Sequence, residues 1–581
     1  MSKLNIDQKT IRDLFSDKKA DFLIPDYQRP YAWGDKECQT LWDDIFTFAF
    51  PDNNYQKFNS DNDEYFLGPI VTFKNGGKQE VIDGQQRLTT LMLILRAFYE
   101  KYGHMKDEQS VKTKELIEKC IWKTDEFGNP QKDQLKIDSE VATDNDKEEF
   151  LSILRTGIVD DKQKSSYAQN YRFFQKKINE FLNTFPGYFS YLPVRILNNC
   201  ILLPIEAESQ DTALRIFSTL NDRGKPLSDA DIFKAQLYKF YSSLGRKDEF
   251  IKDWKELERV CDMMFSPISG TPMDELFTRY MYYERAKRGE KSSTTEALRK
   301  FYERNGYELL KREDTFENIR DLAEFWSDVY RQNPERFSDR VLRQLFVLGF
   351  APNSMWTYLV SVYYMCKRQD GGQLDDDLFH DFLCRIIGFI WTYAVTNPGV
   401  NSLRTPVFAE MVNLVEGRDV TFSGYRLEEA SVRASFGNYT FSNNRAITRS
   451  MLAWWAFMDP GQKLMSSEKS FEIEHIYARA RQEKEHSLSS PKLLEALGNK
   501  SLLEARINIR ASDYRFIDKR KYYQGFTTSK GKEKSGTEIS ELVRLATQKD
   551  DFTESDITTR DSTIIDGFLE YLRNNGLLSD K

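Results

Sequence analysis

The chain has few of the residues from which disulfide frameworks and zinc ribbons are built. Its 581 residues contain six cysteines, all far apart and none in a Cys-x-x-Cys pair. We therefore expect no disulfide scaffold and no zinc ribbon, but buried thiols in a reducing compartment. The N-terminal decapeptide MSKLNIDQKT lacks the apolar core of a signal peptide, so a cytoplasmic location is predicted.

Positive charge is not in excess. Asp and Glu number 90 against 83 Lys and Arg, which gives a net charge of −7. This balance excludes a uniformly basic nucleic-acid coat, so any DNA contact must come from a local patch. The sequence also lacks a G-x-x-x-x-G-K-[ST] segment, so an NTPase here would not be a P-loop enzyme.

Long apolar runs are interrupted. The longest stretch without charge, residues 344–366, contains Pro352-Asn353, which favours two buried helices over a membrane span. Hydrophobic residues make up 40% of the chain and aromatic residues 14%, which excludes a disordered protein and is enough for several cores.

Strand and helix signals alternate in the first two hundred residues. Apolar and β-branched runs predict strands at residues 22–24, 65–73, 79–82 and 201–205, with a turn at Asn75-Gly76-Gly77. Helical spacing of apolar side chains predicts helices at residues 85–102, 212–220 and 228–241. The polar residues 104–147 indicate an excursion at the surface.

Residues 245 to 430 show an almost wholly helical pattern. The predicted fold class is therefore α+β and predominantly helical. The predicted domains are residues 1–240, 241–430 and 431–581.

A five-residue turn, Asp83-Gly84-Gln85-Gln86-Arg87, lies where a predicted strand ends and a predicted helix begins. The first N–H groups of a helix are unpaired and carry the positive end of its dipole, which favours anions there. Gly84 would let a phosphate approach the backbone, and Arg87 would offer a guanidinium fork. In the structural alternative, Asp83 caps the helix and Arg87 forms a surface ion pair.

Four sequence blocks surround this turn: IPDYQRPYAWGDKECQTLWDDI (24–45), YFLGPIV (65–71), VIDGQQRLTTLML (81–93) and IFSTLNDRGKPLSDADIFKA (216–235). In this order they resemble the GmrSD-type restriction endonuclease family. The resemblance implies an N-terminal domain with a ParB/sulfiredoxin-like fold that binds and hydrolyses nucleoside triphosphates, with Asp83 and Arg87 as catalytic residues. It implies these nucleotide-binding residues: Gln28, Arg29, Asp83, Gly84, Gln85, Gln86, Arg87, Asn221, Arg223 and Lys225. Tyr27, Tyr31 and Trp33 either stack a base or belong to the core.

The charge balance changes near the C-terminus. Residues 475–534 contain fourteen Lys and Arg against seven Asp and Glu, a local net charge of +7. Such a segment is typical of a phosphate-backbone footprint, and a solvated helix face is the alternative.

Histidine is scarce, and one of the four histidines ends a segment with strand-like alternation, Phe471-Glu472-Ile473-Glu474-His475. Asn499 then precedes a second short strand, and Asn508 precedes a basic helix. This order resembles an HNH ββα-metal nuclease, and more narrowly the nuclease domain at the C-terminus of the same family.

The chemistry of phosphodiester cleavage suits these residue types. A water must lose its proton near pH 7, where imidazole titrates, and a carboxylate with an amide oxygen suits Mg²⁺. With the resemblance, this implies His475 as general base and Asn499 as the catalytic residue that orients its loop. It implies Glu474 and Asn508 as metal ligands.

Arg510 and Lys519 are expected to bind DNA phosphates. Glu472 is an alternative metal carboxylate, because neighbouring strand residues point to opposite faces. A buried, hydrogen-bonded His475 with structural asparagines is the non-catalytic alternative.

Together these features predict a nucleotide-regulated, Mg²⁺-dependent DNA endonuclease of the modification-dependent, type IV-like restriction class, acting in anti-phage defence. Expected partners are an NTP and modified phage or foreign DNA, without a membrane, and a second copy of the chain through the helical region is a further candidate. One alternative is an NTP-gated DNA-binding sensor with a degenerate nuclease site, because Ala478 stands near His475 where the family often has a proline. The other is an RNA-directed abortive nuclease.

Overall fold

The structure is a computed structural model that describes residues 5–6, 8–141, 144–209, 212–213, 216, 228–267, 269–290, 292–294, 296–399, 401–511 and 515–579. Most of the predicted 212–220 helix, and the predicted nucleotide-binding residues Asn221, Arg223 and Lys225, lie outside these residues. The chain divides into two compact units, residues 1–256 and 257–581. The division at residues 240 and 430 stays a prediction.

A mixed sheet forms the centre of the first unit. The strands of this unit are β1 (Asn5–Ile6), β2 (Lys9–Thr10), β3 (Phe22–Ile24), β4 (Tyr65–Asn75), β5 (Lys78–Asp83), β6 (Trp122–Thr124), β7 (Pro130–Leu135), β8 (Ile137–Ser139) and β9 (Cys200–Ala207). The sheet has the order β1-β9-β4-β5-β3-β8, and β2 also pairs with β9. β4 and β5 are antiparallel, whereas β3 runs parallel to β5 and β9 parallel to β4. All four strands predicted in this region are confirmed.

Helices cover both faces of this sheet. The helices in this part of the chain are Ile11–Ser16, Asp35–Ala49, Gln85–Lys101, Glu108–Ile121, Lys147–Thr156, Ser166–Thr184, Tyr191–Asn199, Asp229–Ser243 and Lys247–Met264, of which the last crosses the boundary between the units. The predicted helices at residues 85–102 and 228–241 are confirmed. The second of these begins with a capping box between Ser228 and Asp231, which satisfies two otherwise unpaired N–H groups.

The prediction of a surface excursion at residues 104–147 is wrong. This segment forms the helix Glu108–Ile121 and strands β6 to β8, and it buries Ile117, Trp122 and Ile137 in the core. Its apolar residues are few, but they recur at the spacing of one helix face and one strand face, which is enough to anchor an otherwise polar segment.

Alternation along the strands separates two apolar cores. Ile70 and Val81 belong to the large core, together with the helix Gln85–Lys101. Their chain neighbours Val71 and Ile82 belong to a smaller cluster with Ala235 of the helix Asp229–Ser243. The DGQQR turn therefore follows the C-terminal end of β5, an inner strand of a sheet that is buried on both faces.

The second unit is mainly helical. Its longer helices are Pro272–Lys287, Leu298–Tyr307, Glu313–Tyr330, Asp339–Leu348, Met355–Lys367, Asp376–Thr396, Arg404–Val415, Glu429–Asn438, Ala446–Met458, Arg479–Glu485, Ala505–Ala511, Phe516–Gln524, Ser540–Gln548 and Glu554–Asn574. Two antiparallel strand pairs are inserted among them, β10 (Phe471–His475) with β11 (Lys500–Glu504), and β12 (Gly525–Thr527) with β13 (Glu533–Ser535). The predicted pair of helices on either side of Pro352-Asn353 is confirmed.

One helix of the second unit, Asp376–Thr396, is long and apolar enough to cross a membrane. Most of its apolar stretch, 67%, is buried inside the protein, which is typical of a core helix. With a single small sheet and short strand pairs among many helices, the chain is a predominantly helical α+β protein, as predicted.

Candidate nucleotide and nuclease sites

The DGQQR turn joins β5 to the central helix of the first unit. β5 ends at Asp83, Gly84 adopts a left-handed conformation with φ of 90°, and the helix begins at Gln85. A Cβ atom at position 84 would lie 3.0 Å from Cγ1 of Ile70, so both the backbone angle and the space require glycine. The close approach lets the helix start directly against β4.

Three glutamines tie this turn to the segment that contains Gln28 and Arg29. Gln86 accepts a hydrogen bond from the Ala32 N–H at 2.7 Å and donates to the Pro30 carbonyl at 3.1 Å. Gln85 donates to the Arg29 carbonyl at 3.3 Å, and Gln28 donates to the Ile82 carbonyl at 3.2 Å. These buried amides hold two of the four sequence blocks together.

Arg87 joins a third block to the turn. Its guanidinium group donates to the Pro69 carbonyl at 2.7 Å and lies over Gly68, where an added Cβ would be 3.0 Å from Cζ. Burial lowers the pKa of Arg87, partly offset by the negative charge of Asp83. Arg87 is thus half-buried and engaged, unlike the surface ion pair of the structural alternative.

Asp83 is also half-buried, and its Oδ1 accepts a hydrogen bond from the Gly84 N–H at 2.7 Å. Burial raises its pKa, although the Gly84 N–H and the charges of Arg87 and Arg29 act in the opposite direction. One carboxyl group and two guanidinium groups therefore meet at the helix N-terminus. This arrangement can hold an anionic phosphate on the cations and the first-turn N–H groups.

The structure decides one alternative left open by the sequence. Tyr27 and Tyr31 are buried, and Tyr31 stacks on Tyr167 with ring centroids 4.9 Å apart. Trp33 is partly buried and packs against the same large core as Tyr31. Tyr27 and Tyr31 are therefore core residues, and the nucleotide-site assignments stay a prediction.

The nuclease candidate is the β10–β11 hairpin of the second unit. His475 is the last residue of β10 and pairs with Lys500, the first residue of β11. Asn499, which is fully buried, accepts a hydrogen bond from the Tyr477 N–H at 2.7 Å and donates to the Tyr477 carbonyl at 3.1 Å. This clasp fixes the backbone just after His475, which is the geometry expected of a residue that orients the histidine loop.

His475 is mostly buried, with 12% of its side chain exposed, and its Nε2 has no hydrogen-bond partner among the described atoms. Burial, together with the charges of Lys500 and Arg479, lowers the pKa of His475 to about 4, against the opposing effect of Glu495. The imidazole is therefore neutral near pH 7, and a neutral imidazole can accept a proton.

An ion network that the sequence pattern did not reveal lies beside His475. Glu495 lies 3.8 Å from Nε2, and it receives Arg479 and Lys500 at 2.6 Å each. Burial alone would raise the pKa of Glu495, but the hydrogen bonds and charges of Lys500 and Arg479 lower it below its usual value. Pairing the two predicted strands as a hairpin could have revealed part of this network, because that pairing places Lys500 opposite His475.

Glu474 faces a different set of partners. Its Oε1 accepts hydrogen bonds from the Lys519 ammonium at 2.8 Å and from the Tyr523 hydroxyl. Lys519 also donates to the His475 carbonyl at 2.6 Å, and both charged side chains are buried. Lys519 therefore anchors β10 to the helix Phe516–Gln524, and its assignment to DNA binding stays a prediction.

The other predicted residues lie close by in the chain. Asn508 is half-buried on the helix Ala505–Ala511, and Arg510 of the same helix donates to the Arg506 and Ser535 carbonyls. Glu472, the alternative metal carboxylate, is exposed and lies 3.8 Å from Arg449. Neither carboxylate alternative is paired with Asn508 by any described hydrogen bond.

The oxygen donors of Glu474 and Asn508 are of the kind that Mg²⁺ prefers. In this arrangement, however, an ammonium and a phenol both donate to Oε1 of Glu474, and the ammonium already neutralises the charge of the carboxylate. Among the described residues, no group of three or more His, Cys, Asp or Glu side chains is placed to hold a metal ion. The residues as arranged do not fit a divalent cation, and the metal-ligand assignment stays a prediction.

Two family models match the chain. Residues 11–238 match the model described as GmrSD restriction endonuclease, N-terminal domain, and residues 428–566 match GmrSD restriction endonucleases, C-terminal domain. The first match contains the DGQQR turn and the second contains the β10–β11 hairpin. No curated protein matches the chain.

Proposed function

Because this chain belongs to the GmrSD restriction endonuclease family, we propose that its second unit cleaves DNA with His475 as general base and that its first unit binds and hydrolyses an NTP. The family supports a restriction-type nuclease with DNA as its partner, and its nucleases depend on a divalent metal in general. The finer assignments are the type IV-like, modification-dependent class, NTP regulation, action against phage DNA and a cytoplasmic location, and they are part of this proposal.

The observation that supports the nuclease most directly is the Asn499 clasp behind a neutral His475. Hydrolysis of a phosphodiester requires a base that removes a proton from the attacking water, and a positioned base contributes about 10²–10⁴-fold to the rate. The His475 Nε2 has no hydrogen-bond partner among the described atoms, so in the tautomer protonated on Nδ1 it is available to accept a proton. Arg479, which is half exposed and held by Glu495, is placed to attract the scissile phosphate to the same point.

The proposal for the first unit rests on the DGQQR turn. The unpaired N–H groups of the helix start, with Arg87 and Arg29 beside Asp83, favour a bound phosphate. The buried glutamines have their side chains hydrogen-bonded to neighbouring backbone, so they shape the turn and leave phosphate contact to the cations and the main chain. Binding there can alter the turn and therefore regulate the protein.

A second candidate function is an NTP-gated DNA-binding sensor that does not cut. The buried His475 Nε2 and the ion pair between Glu474 and Lys519 favour this alternative, because a water and a cation would both need a rearrangement to enter. The two candidates differ in one measurable property, which is strand cleavage.

The deciding experiment is a matrix of NTPs and nucleic acids that scores cleavage and phosphate release. The substrates are unmodified plasmid, modified phage DNA and total RNA, each with Mg²⁺ and with a chelator. The proteins are wild type, His475→Asn, Asp83→Ala and the control His486→Asn, which changes an exposed histidine of the same unit. We expect cleavage by wild type and His486→Asn, and none by His475→Asn.

Equal cleavage by wild type and His475→Asn would remove the general base from the proposal. NTP turnover with no cleavage of any substrate would support the sensor. Cleavage of RNA alone would support the abortive RNA nuclease. An Asp83→Ala protein that keeps its NTP turnover would remove the nucleotide site.

Self-association through the helical residues 241–430 is the remaining part of the proposal. Light scattering of the full chain, with and without NTP, measures the molar mass directly. A monomer at all concentrations would exclude the homodimer.

A further inference from the structure

A cavity of about 670 Å³ lies in the second unit beside the strand that carries His475. Phe471, the first residue of β10, lines it. Other walls come from the helices Asp339–Leu348 and Ala446–Met458 and from the loop before β10. Its volume is in the range of sites that hold small organic ligands.

One wall of the cavity is aromatic and closely packed. The rings of Phe346, Phe350 and Phe471 contact one another edge to face, with centroids 5.4 to 6.1 Å apart. Trp356 lines another wall, and Tyr330 stands 40% exposed beside it. Such surfaces stack planar aromatic ligands, and nucleobases are among them.

The charged residues that line the cavity are all positive. They are Arg445, Arg449 and Lys469, and no Asp or Glu is among the lining residues. Lys469 is paired with Glu538, and Arg445 donates to the Tyr439 hydroxyl at 2.9 Å. The Nε of Arg449 is buried without a hydrogen-bond partner among the described atoms, and its Nη2 lies 3.8 Å from Glu472. A buried N–H without a partner is costly, and a small side-chain movement would give the Arg449 guanidinium an anionic oxygen to bind.

The cavity is also connected to the nuclease hairpin. Asn443 lines the cavity and accepts a hydrogen bond from the Lys500 ammonium at 2.8 Å. Lys500 donates in turn to Glu495, the carboxylate beside His475. Phe471 and His475 are four residues apart on one strand, which is about 13 Å at 3.3 Å per residue.

We propose that this cavity receives one nucleotide of the DNA substrate, swung out of the stack, with its base on the phenylalanine wall and its phosphate on Arg449. Taking a base out of the duplex costs its stacking and pairing, and stacking on the protein offsets that loss. The nucleotide bound in the cavity therefore contributes to substrate selection close to the cleavage site. This inference rests on the proposed DNA cleavage and names the part of the substrate that the protein inspects.

The test uses the full chain and DNA that carries a single 2-aminopurine, whose fluorescence rises on unstacking and is quenched on an aromatic surface. Fluorescence and binding are measured for wild type, Phe350→Ala, Arg449→Gln and Ser467→Trp, which fills the cavity from its exposed rim. The control is Arg433→Gln, which removes an exposed arginine paired with Asp566 outside the cavity. His475→Asn is included to separate binding from cleavage.

We expect Arg449→Gln and Ser467→Trp each to weaken DNA binding about tenfold, whereas Arg433→Gln stays within twofold of wild type. The position-dependent 2-aminopurine signal should be present in His475→Asn and altered in Phe350→Ala. Thermal melting identifies any variant that fails to fold, and Ser467→Trp tests the cavity from the surface without changing the core.

If Arg449→Gln and Ser467→Trp both bind DNA and fluoresce as wild type does, the cavity assignment is wrong. Loss of cleavage in His475→Asn would in that case still support the proposed nuclease. Conversely, if these two variants lose DNA binding and His475→Asn cleaves DNA as wild type does, the cavity assignment is supported and the proposed general base is refuted. Binding of free deoxynucleoside monophosphates without any effect on DNA would also overturn the assignment.

Discussion

At the scale of single residues, the two candidate sites differ in how their polar side chains are hydrogen-bonded. In the first unit, Gln28, Gln85 and Gln86 are hydrogen-bonded to backbone, so the family motif is largely a scaffold. In the second unit, the Nε2 of His475 has no partner among the described atoms, although Asn499, Glu495 and Lys500 surround its strand. An unpaired buried nitrogen lowers the stability of the fold, so its presence points to a functional role.

The lowered pKa of His475 predicts a specific dependence of stability on pH. The unfolded imidazole titrates near 6.5, whereas the pKa in the fold is about 4. As the pH falls below 6.5, the unfolded state binds the proton first, so the folded state loses stability until about pH 4. We expect wild type to lose about 2 kcal/mol more between pH 7 and 5 than His475→Asn does, measured by urea denaturation. His486→Asn should behave as wild type, and equal losses in all three proteins would contradict the lowered pKa.

The pair of Glu474 and Lys519 gives a second residue-scale prediction. Both side chains are buried, so Lys519→Met leaves a buried carboxylate without its cation and should cost about 3–5 kcal/mol. Glu474→Gln combined with Lys519→Met should recover most of that loss, because no buried charge remains. Urea denaturation of the single and double variants measures this coupling, and simple additivity of the two changes would show that the pair is not coupled.

At the scale of elements, the first unit depends on how closely the central helix approaches β4. The left-handed Gly84 and the guanidinium of Arg87 over Gly68 connect the strand pair to the helix start. Each contact joins the block at residues 65–71 to the block at residues 81–93, across the β4–β5 hairpin. The order of these blocks was visible in the sequence, but their mutual contacts were not, because they depend on strand register and helix angle.

Gly84→Ala should therefore destabilise the first unit by about 1–3 kcal/mol, through backbone strain and contact with Ile70. The matched control is Gly77→Ala, which has a similar φ of 89° but nothing within 4 Å of the added Cβ. The control isolates the backbone strain, so the difference between the two variants is the cost of the contact. Equal melting temperatures for the two variants would show that the approach to Ile70 is not tight.

At the scale of the whole molecule, the chain consists of two compact units, each with its own buried residues and one candidate site. The helix Lys247–Met264 contains the boundary between the two units and is their covalent link. Units with separate cores are expected to fold by themselves.

Two fragments that each keep the whole Lys247–Met264 helix should therefore melt cooperatively. The N-terminal fragment should retain NTP turnover, and the C-terminal fragment should retain DNA cleavage without a response to NTP. Calorimetry and the two activity assays on the separate and mixed fragments check this. A C-terminal fragment that still responds to NTP would place the nucleotide site outside the first unit.

The sequence by itself determined the strands at residues 22–24 and 65–73, the central helix, the family and the hairpin that presents His475. These follow from local periodicity, turn residues and the order of motifs, all of which lie in short continuous segments. Only the tertiary structure decided that Glu474 pairs with Lys519, that Glu495 and Lys500 stand beside His475, and that residues 104–147 enter the core. The tertiary structure also decided the cavity behind Phe471, because its walls come from two separate segments, residues 329–356 and 443–471, which only packing brings together.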